Sequence, residues 1–348
     1  MEVLYCKDCG CGNFGDDLNG VIWKAILPQA VFDVNGIALL GIGTVFNSRT
    51  AAIGKTRNLK VFVLSSGAGY FSLPEGWQDW SILAVRGPLT AQLIGRPELA
   101  ATDGAALLAT MPLPKAEREL TLFMPHFRSL QFGQWESICE AAGVTFVSPK
   151  WEISRILELF SRARLVLAEA MHAAIVADAM RIPWIPMLSG PDSHSFKWRD
   201  WTLSLSLPYE PVHLPKPSIG DRVRSSKLYL DYLELEYGIT AGSPKHVALE
   251  QVRHSIERDG DGQVHVERLP APIAASVRII AMKAARCCGK VMDPHLMEKT
   301  ERAIKAAAQG RCYLSADSVF AEKLDCLQVA RQRFVDAVEK MAAPRCER

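Results

Sequence analysis

Seven short apolar runs within the first 190 positions, separated by segments patterned as helices, constrain this chain more than any other feature. The runs are Ile37 to Gly41, Val61 to Ser65, Ser81 to Val85, Thr121 to Pro125, Val144 to Val147, Leu165 to Ala168 and Trp184 to Met187. Most are nearly all apolar rather than alternating, which is what a strand covered on both faces requires. Helix patterns fall between them, at Leu18 to Leu27, Pro88 to Ile94 and Ile153 to Ala163. Strand and helix in alternation specify an α/β fold with parallel sheets.

The chain divides at Met111-Pro112-Leu113-Pro114-Lys115, where two prolines remove backbone donors and disfavour helix before them. This segment predicts a linker between an N-terminal Rossmann-like domain, residues 1–113, and a second one, residues 114–219. A second proline-rich stretch, Leu207 to Pro217, leads into a mainly helical extension, residues 220–348, with helices expected at Lys227 to Tyr237, Ile273 to Arg286, Pro294 to Gln309 and Ser318 to Met341. Two such halves facing each other across a cleft make a GT-B-like arrangement, in which ligands bind at the carboxyl ends of the strands.

Charge is balanced overall at +2 and in each part. Residues 1–219 carry 19 Lys/Arg against 20 Asp/Glu, and the remainder 21 against 18, which argues against a nucleic-acid-coating protein. Nine cysteines, scattered or adjacent rather than spaced as a framework, fit a reducing cytoplasm. No uncharged apolar stretch reaches the roughly 18 residues of a membrane span, so any membrane association is expected to be peripheral.

Five segments carry candidate chemistry. In Cys9-Gly10-Cys11-Gly12-Asn13-Phe14-Gly15-Asp16-Asp17-Leu18, glycines and a helix start suit close approach to an anion, while helix capping by Asp16 or Asp17 is the plain alternative. Cys6, Cys9 and Cys11 have no second pair at zinc spacing, and no metal is expected. Gly41-Ile42-Gly43 lacks the third glycine of a dinucleotide fingerprint, and Gly54-Lys55-Thr56 lacks the first glycine of a P-loop. Arg86 stands at a strand end before a proline-started helix, placed to grip phosphate or carboxylate oxygens. His126, Arg128 and Ser129 repeat that logic in the second half. Glu169 and His172, three apart after an apolar strand, share one helix face at the sheet's carboxyl edge, where a histidine suits proton transfer. Lys197 and Trp198 lie in a stretch read as a loop, Asp192 to Trp201, that could line a sugar site or anchor its tryptophans in the core.

Taken in order, Gly12-Asn13-Phe14-Gly15-Asp16-Asp17-Leu18, Val85-Arg86-Gly87-Pro88-Leu89-Thr90, Ala101-Thr102-Asp103-Gly104-Ala105, Pro125-His126-Phe127-Arg128-Ser129 and Ala168-Glu169-Ala170-Met171-His172-Ala173 resemble the polysaccharide pyruvyl transferase family, most closely its succinoglycan-type ketal-pyruvate members. The resemblance spans about residues 1–205. It implies a GT-B-like fold, phosphoenolpyruvate as donor substrate without a further cofactor, and a lipid-linked or nucleotide-linked saccharide acceptor in exopolysaccharide or cell-surface glycan biosynthesis. It also implies His172 as acid/base, Glu169 as its orienter or as hydroxyl base, and Arg86 with Arg128 as donor clamps. Substrate contacts are expected from Asn13, Gly15, Asp16, Asp17, Arg86, His126, Arg128, Ser129, Lys197 and Trp198. Many members carry Arg-Leu-His where this chain has Ala170-Met171-His172, so another cation must serve. The alternatives are a nucleotide-sugar glycosyltransferase on the same fold, and a non-catalytic binding or scaffold subunit. Self-association is left open by the sequence.

Overall fold

The computed structural model describes residues 1–5, 12–48, 50, 52, 58–69, 72–190, 194–224 and 293–342. Gly54-Lys55-Thr56, the cysteines at 6, 9 and 11, and the helices expected at Lys227 to Tyr237 and Ile273 to Arg286 lie outside the described residues.

Each apolar run forms a strand. β1 (Glu2–Val3), β2 (Ile37–Leu40), β3 (Lys60–Leu64) and β4 (Ser81–Ala84) make a four-stranded sheet in the order β1-β2-β3-β4. β5 (Leu120–Met124), β6 (Thr145–Phe146), β7 (Ala163–Ala168), β8 (Trp184–Leu188) and β9 (Val212–His213) make a five-stranded sheet, β6-β5-β7-β8-β9. Every pairing within the two sheets is parallel. Parallel strands need long crossovers, and helices supply them. These are α1 (Phe14–Ile26) in the first sheet and α3 (Trp135–Ala142), α4 (Ile153–Ser161) and α5 (Met171–Ala179) in the second, while α2 (Pro88–Leu93) follows β4, the last strand of the first sheet. Residues 111–119, at the predicted linker, carry no helix or strand.

One continuous apolar core joins the two sheets. Phe14, Leu18 and Ile22 of α1, Ala105 to Leu108 of the 3-10 segment Gly104–Thr110, and Ala173 to Ala177 of α5 belong to it together. The small side chains of α5 let that helix pack closely against its neighbours, and residues 173–180 are buried without a break. A helix buried all round shows no polar stripe.

The C-terminal helices pack onto the sheets. α7 (residues 293–307) places Ile304 and Ala307 in the core that contains Trp135 and Met187. α8 (Asp317–Ala342) crosses back to the first sheet, where Phe334 meets Phe62 edge-on at 5.1 Å. Between them, Tyr313 forms an antiparallel bridge with Trp184. Asp178 fixes this return by accepting from the Trp184 indole at 3.0 Å and the Ser315 amide at 2.9 Å. Among the described residues, no helix is long and apolar enough to cross a membrane.

The stretch read as a loop around Lys197 and Trp198 is instead a helix, α6 (Ser195–Ser204). Its pattern hides from periodicity because polar and aromatic residues alike are buried: Lys197, Asp200 and Thr202 as well as Phe196, Trp198 and Trp201.

Candidate active site

The site is built where strand ends and helix starts of both sheets meet. Asn13 is the residue before α1, and its side-chain amide donates to Asp16 Oδ2 at 2.7 Å. Its backbone N–H donates to Asp17 Oδ2 at 2.9 Å, so Asp17 closes the helix start. Asn19 then pins α1 to the end of β2, its Oδ1 accepting from the Ile42 amide and its Nδ2 donating to the Ile42 carbonyl. This linkage fixes Asp16 beside the turn that carries Gly43.

His172 sits in the first turn of α5 and faces α1 across the junction of the halves. A Cβ on Gly15 would stand 2.0 Å from His172 Nδ1, so only glycine admits the ring there. On its other side, His172 Nε2 lies 3.7 Å from Asp103 Oδ1; the imidazole is 15% exposed and Asp103 fully buried. Asp103 is supplied by the loop before Gly104–Thr110, and the same oxygen accepts from the Ala105 amide at 3.0 Å.

The two carboxylates near His172 are pushed in opposite directions. Burial raises the Asp16 carboxyl above its ordinary range; His172, the Asn13 hydrogen bond and Lys197 pull the other way, and Asp17 adds to the rise. Burial also acts to raise Asp103, but His172, Arg86 and the Ala105 amide outweigh it and hold that carboxyl below its ordinary value. Carboxylates whose environments drive them apart are suited to different protonation roles in one site.

Glu169 is placed otherwise than expected. Its Oε2 accepts from the His126 amide at 2.9 Å, and its Oε1 accepts from the Ser129 hydroxyl at 2.8 Å and from the Ser189 hydroxyl. It thus anchors the loop that presents His126 and Arg128, while the carboxylate beside the imidazole is Asp103. In that loop the rings of His126 and Phe127 lie 4.7 Å apart, and the Arg128 guanidinium lies 5.7 Å from the Phe127 ring.

Arg86 lies at the end of the first sheet as predicted, but its guanidinium faces protein. Nε pairs with Asp200 Oδ2 at 3.2 Å, Nη1 donates to Thr44 Oγ1 at 2.9 Å and Nη2 donates to the Ala68 carbonyl at 2.9 Å. Asp200 also accepts from the Thr90 amide and hydroxyl, at 2.9 and 2.6 Å. Arg86 therefore braces α6 against the first sheet and acts on the site through its field at Asp103.

Lys197, also from α6, packs its stem against Gly69 and its charge acts on Asp16. Trp198 does not offer its indole to a sugar. It is 1% exposed, stacked on Tyr209 with centroids 5.2 Å apart and packed with Trp184 and Trp201.

The structure thus assembles Asn13, Gly15, Asp16, His172 and Lys197 with Asp103, groups Glu169 with His126 and Ser129, and takes Trp198 into the core. Asp103, Thr44 and Asp200 are site or bracing residues that sequence reasoning missed as such, although Thr102-Asp103-Gly104 lay within a recognised segment. Among the described residues, no cluster of His, Cys, Asp and Glu is arranged to hold a metal ion.

Fold and site together define a two-sheet parallel α/β protein with an imidazole between carboxylates at the junction of its halves. Over 209 residues the chain is 38% identical to the succinoglycan biosynthesis protein ExoV of Rhizobium meliloti (strain 1021), a match covering 59% of this chain and 65% of that protein. The matched region thus spans just under two thirds of the relative's length. No protein-family model matches the chain, and no solved structure matches it.

Proposed function

We propose that this chain is a pyruvyl transferase of polysaccharide biosynthesis, moving pyruvate from phosphoenolpyruvate onto a pair of saccharide hydroxyls as a cyclic ketal. The observation that carries this reading is His172, held at the meeting of the two halves beside Asp103, Asp16 and Lys197. Similarity to a protein named for succinoglycan biosynthesis supports the acceptor class.

Protonated His172 gives its proton to the methylene carbon of phosphoenolpyruvate, which becomes a methyl group and leaves an oxocarbenium-like centre at the adjoining carbon. The first hydroxyl oxygen bonds to that carbon and its proton passes to the neutral imidazole. The second hydroxyl oxygen bonds to the same carbon as the bond from that carbon to the phosphate oxygen breaks, its proton leaves with the phosphate, and the ring closes. Such a path needs one positioned proton carrier and fixed charge around the developing cation. Asp103 orients the imidazole, Lys197 and Arg128 provide cationic contacts for the donor, and Arg86 contributes its field from behind. Glu169 positions the loop that bears Arg128.

The glycosyltransferase alternative is disfavoured by Asp178. An acidic residue at about this distance after Glu169 would be wanted at a nucleotide site, yet Asp178 is buried and engaged by Trp184 and Ser315.

The test incubates purified protein with phosphoenolpyruvate and a lipid-linked saccharide pool and follows acceptor mass. Ketal formation adds pyruvate less water, about 70 mass units, and releases phosphate. His172→Gln is expected to abolish the gain. Wild-type turnover by that variant removes His172 from the chemistry, and binding of neither substrate by the native protein supports the scaffold reading.

A further inference from the structure

Ser65 closes β3 in a left-handed conformation, with φ of 76°. A side chain in that region strains against its own backbone, and glycine would fill the position at no such cost. The residue is fully buried, and among the described residues its Oγ has no hydrogen-bond partner. Strain at a strand end persists where the surroundings enforce it, and it clusters at functional positions.

The surroundings here are Gly104 and Asp103. A Cβ on Gly104 would lie 2.3 Å from Ser65 Oγ, so the hydroxyl occupies space that only glycine leaves, immediately beside Asp103 in sequence. Asp103 Oδ1 is occupied by the Ala105 amide, whereas among the described residues Asp103 Oδ2 is buried with no hydrogen-bond partner, and His172 Nε2, across the junction, has none either. Buried polar atoms are nearly always paired, so these call for a group that the protein itself does not provide.

The chemistry of that group follows from what surrounds it. An ionised carboxylate accepts hydrogen bonds and gives none, while a serine hydroxyl does both. The unpartnered atom of Asp103 is a carboxylate oxygen, which disfavours a phosphate or carboxylate oxygen in direct contact with it. Arg86, a buried cation whose charge acts on Asp103, is already tied to Asp200, Thr44 and Ala68. A neutral hydroxyl fits: it donates to Asp103 Oδ2 and accepts from Ser65.

We propose that Ser65 and Asp103 form the seat of a saccharide hydroxyl, with His172 as its wall toward the cleft. This deepens the pyruvyl-transfer reading and rests on it for the identity of the acceptor, but the seat is testable without the reaction. It assigns acceptor binding to the first half, at the end of β3, and gives the strained serine a purpose.

Saturation-transfer NMR with methyl β-glucopyranoside and methyl β-galactopyranoside on the full chain reads the seat, and calorimetry with phosphoenolpyruvate reads the donor site separately. Native protein is expected to transfer saturation to at least one glycoside. Ser65→Ala, Ser65→Gly and Asp103→Asn are each expected to weaken sugar binding at least about tenfold, the effect of one lost charge-assisted or buried hydrogen bond. Ser65→Gly should do so while melting higher than wild type, because the strain is relieved; a purely structural serine would not combine those two effects. Donor binding should stay unchanged in both serine variants. No transfer to either glycoside, meaning a trapped water only, overturns the proposal. So does sugar binding undiminished in the serine variants, or competition by inorganic phosphate for the same signal. Sugar binding without phosphoenolpyruvate binding would retain the seat and remove the pyruvyl reading.

Discussion

The Arg86–Asp200 pair gives the firmest quantitative test, because both side chains are fully excluded from solvent. Removing one member of a buried pair leaves the other uncompensated and costs about 3–5 kcal/mol. In Asp200→Ala the guanidinium keeps Thr44 and the Ala68 carbonyl, but the Thr90 amide and hydroxyl lose their acceptor too. In Arg86→Ala, Asp200 keeps both Thr90 donors, so this variant should be the milder of the two. Domains of ordinary stability unfold at about 5–15 kcal/mol, and either loss is a large share of that. Urea unfolding followed by tryptophan fluorescence reads it, with Trp198 and Trp201 on the same helix as Asp200. The double variant Arg86→Met with Asp200→Leu should be less destabilised than the two alanine variants summed, since no charge is left buried alone. Losses under about 1 kcal/mol in both single variants would refute the bracing role. A fully stable Arg86→Ala that binds phosphoenolpyruvate weakly would instead make Arg86 the donor clamp expected from sequence.

Four further outcomes follow from the same geometry. Gly15→Ala puts a methyl group 2.0 Å from His172 Nδ1 and must shift the ring by about 1 Å, so turnover should fall about a hundredfold while the helix itself gains up to ~1 kcal/mol of propensity. Turnover equal to wild type would contradict the packing of that ring. Glu169→Gln replaces the acceptor of the His126 amide and of the Ser129 and Ser189 hydroxyls by a group that also donates, and thermal unfolding should show a loss of about 1–3 kcal/mol with faster amide exchange at 126–129. Asp16 and Asp103 should respond oppositely to pH. The raised Asp16 carboxyl contributes stability below its unfolded value that is lost as pH rises through the folded one, so Asp16→Asn should melt higher than wild type at neutral pH and lose that advantage in acid. The lowered Asp103 carboxyl contributes stability that is lost on acidification through its folded value, so Asp103→Asn should melt lower at neutral pH. Finally, Phe334→Ala empties the contact with Phe62 and should cost about 3–5 kcal/mol in denaturant, a result that a loosely attached tail would not give.

The sheets were legible because their strands are covered on both faces and so read as unbroken apolar runs: Val61 to Ser65 and Thr121 to Pro125 overlap β3 and β5, each of which begins and ends one residue earlier. The strands β1 and β9 are two residues long and, unlike the equally short β6 within Val144 to Val147, give no such run. Helix α6 escaped for the opposite reason, since Lys197 and Asp200 are buried beside tryptophans and no apolar stripe marks a face. His172 could be found because its position depends on local order alone, a strand end followed by a helix start. Asp103 could not be assigned to it, because the two residues are 69 positions apart and meet only when the halves close on each other. Arg86 shows the same limit: sequence places an arginine at a strand end but does not say whether its guanidinium turns toward a ligand or toward Asp200.

The path of the tail bears on how this site works. The chain passes between the sheets at residues 111–119 and returns after Tyr313, which pairs with Trp184 of the second sheet before α8 packs on the first. Two crossings restrain the halves more than a single linker would, and α6 adds a third tie through Arg86 and Asp200. Beside these ties, His172 of the second half packs against Gly15 of the first and lies 3.7 Å from Asp103, so the position of the imidazole between the carboxylates depends on how the two halves are held together.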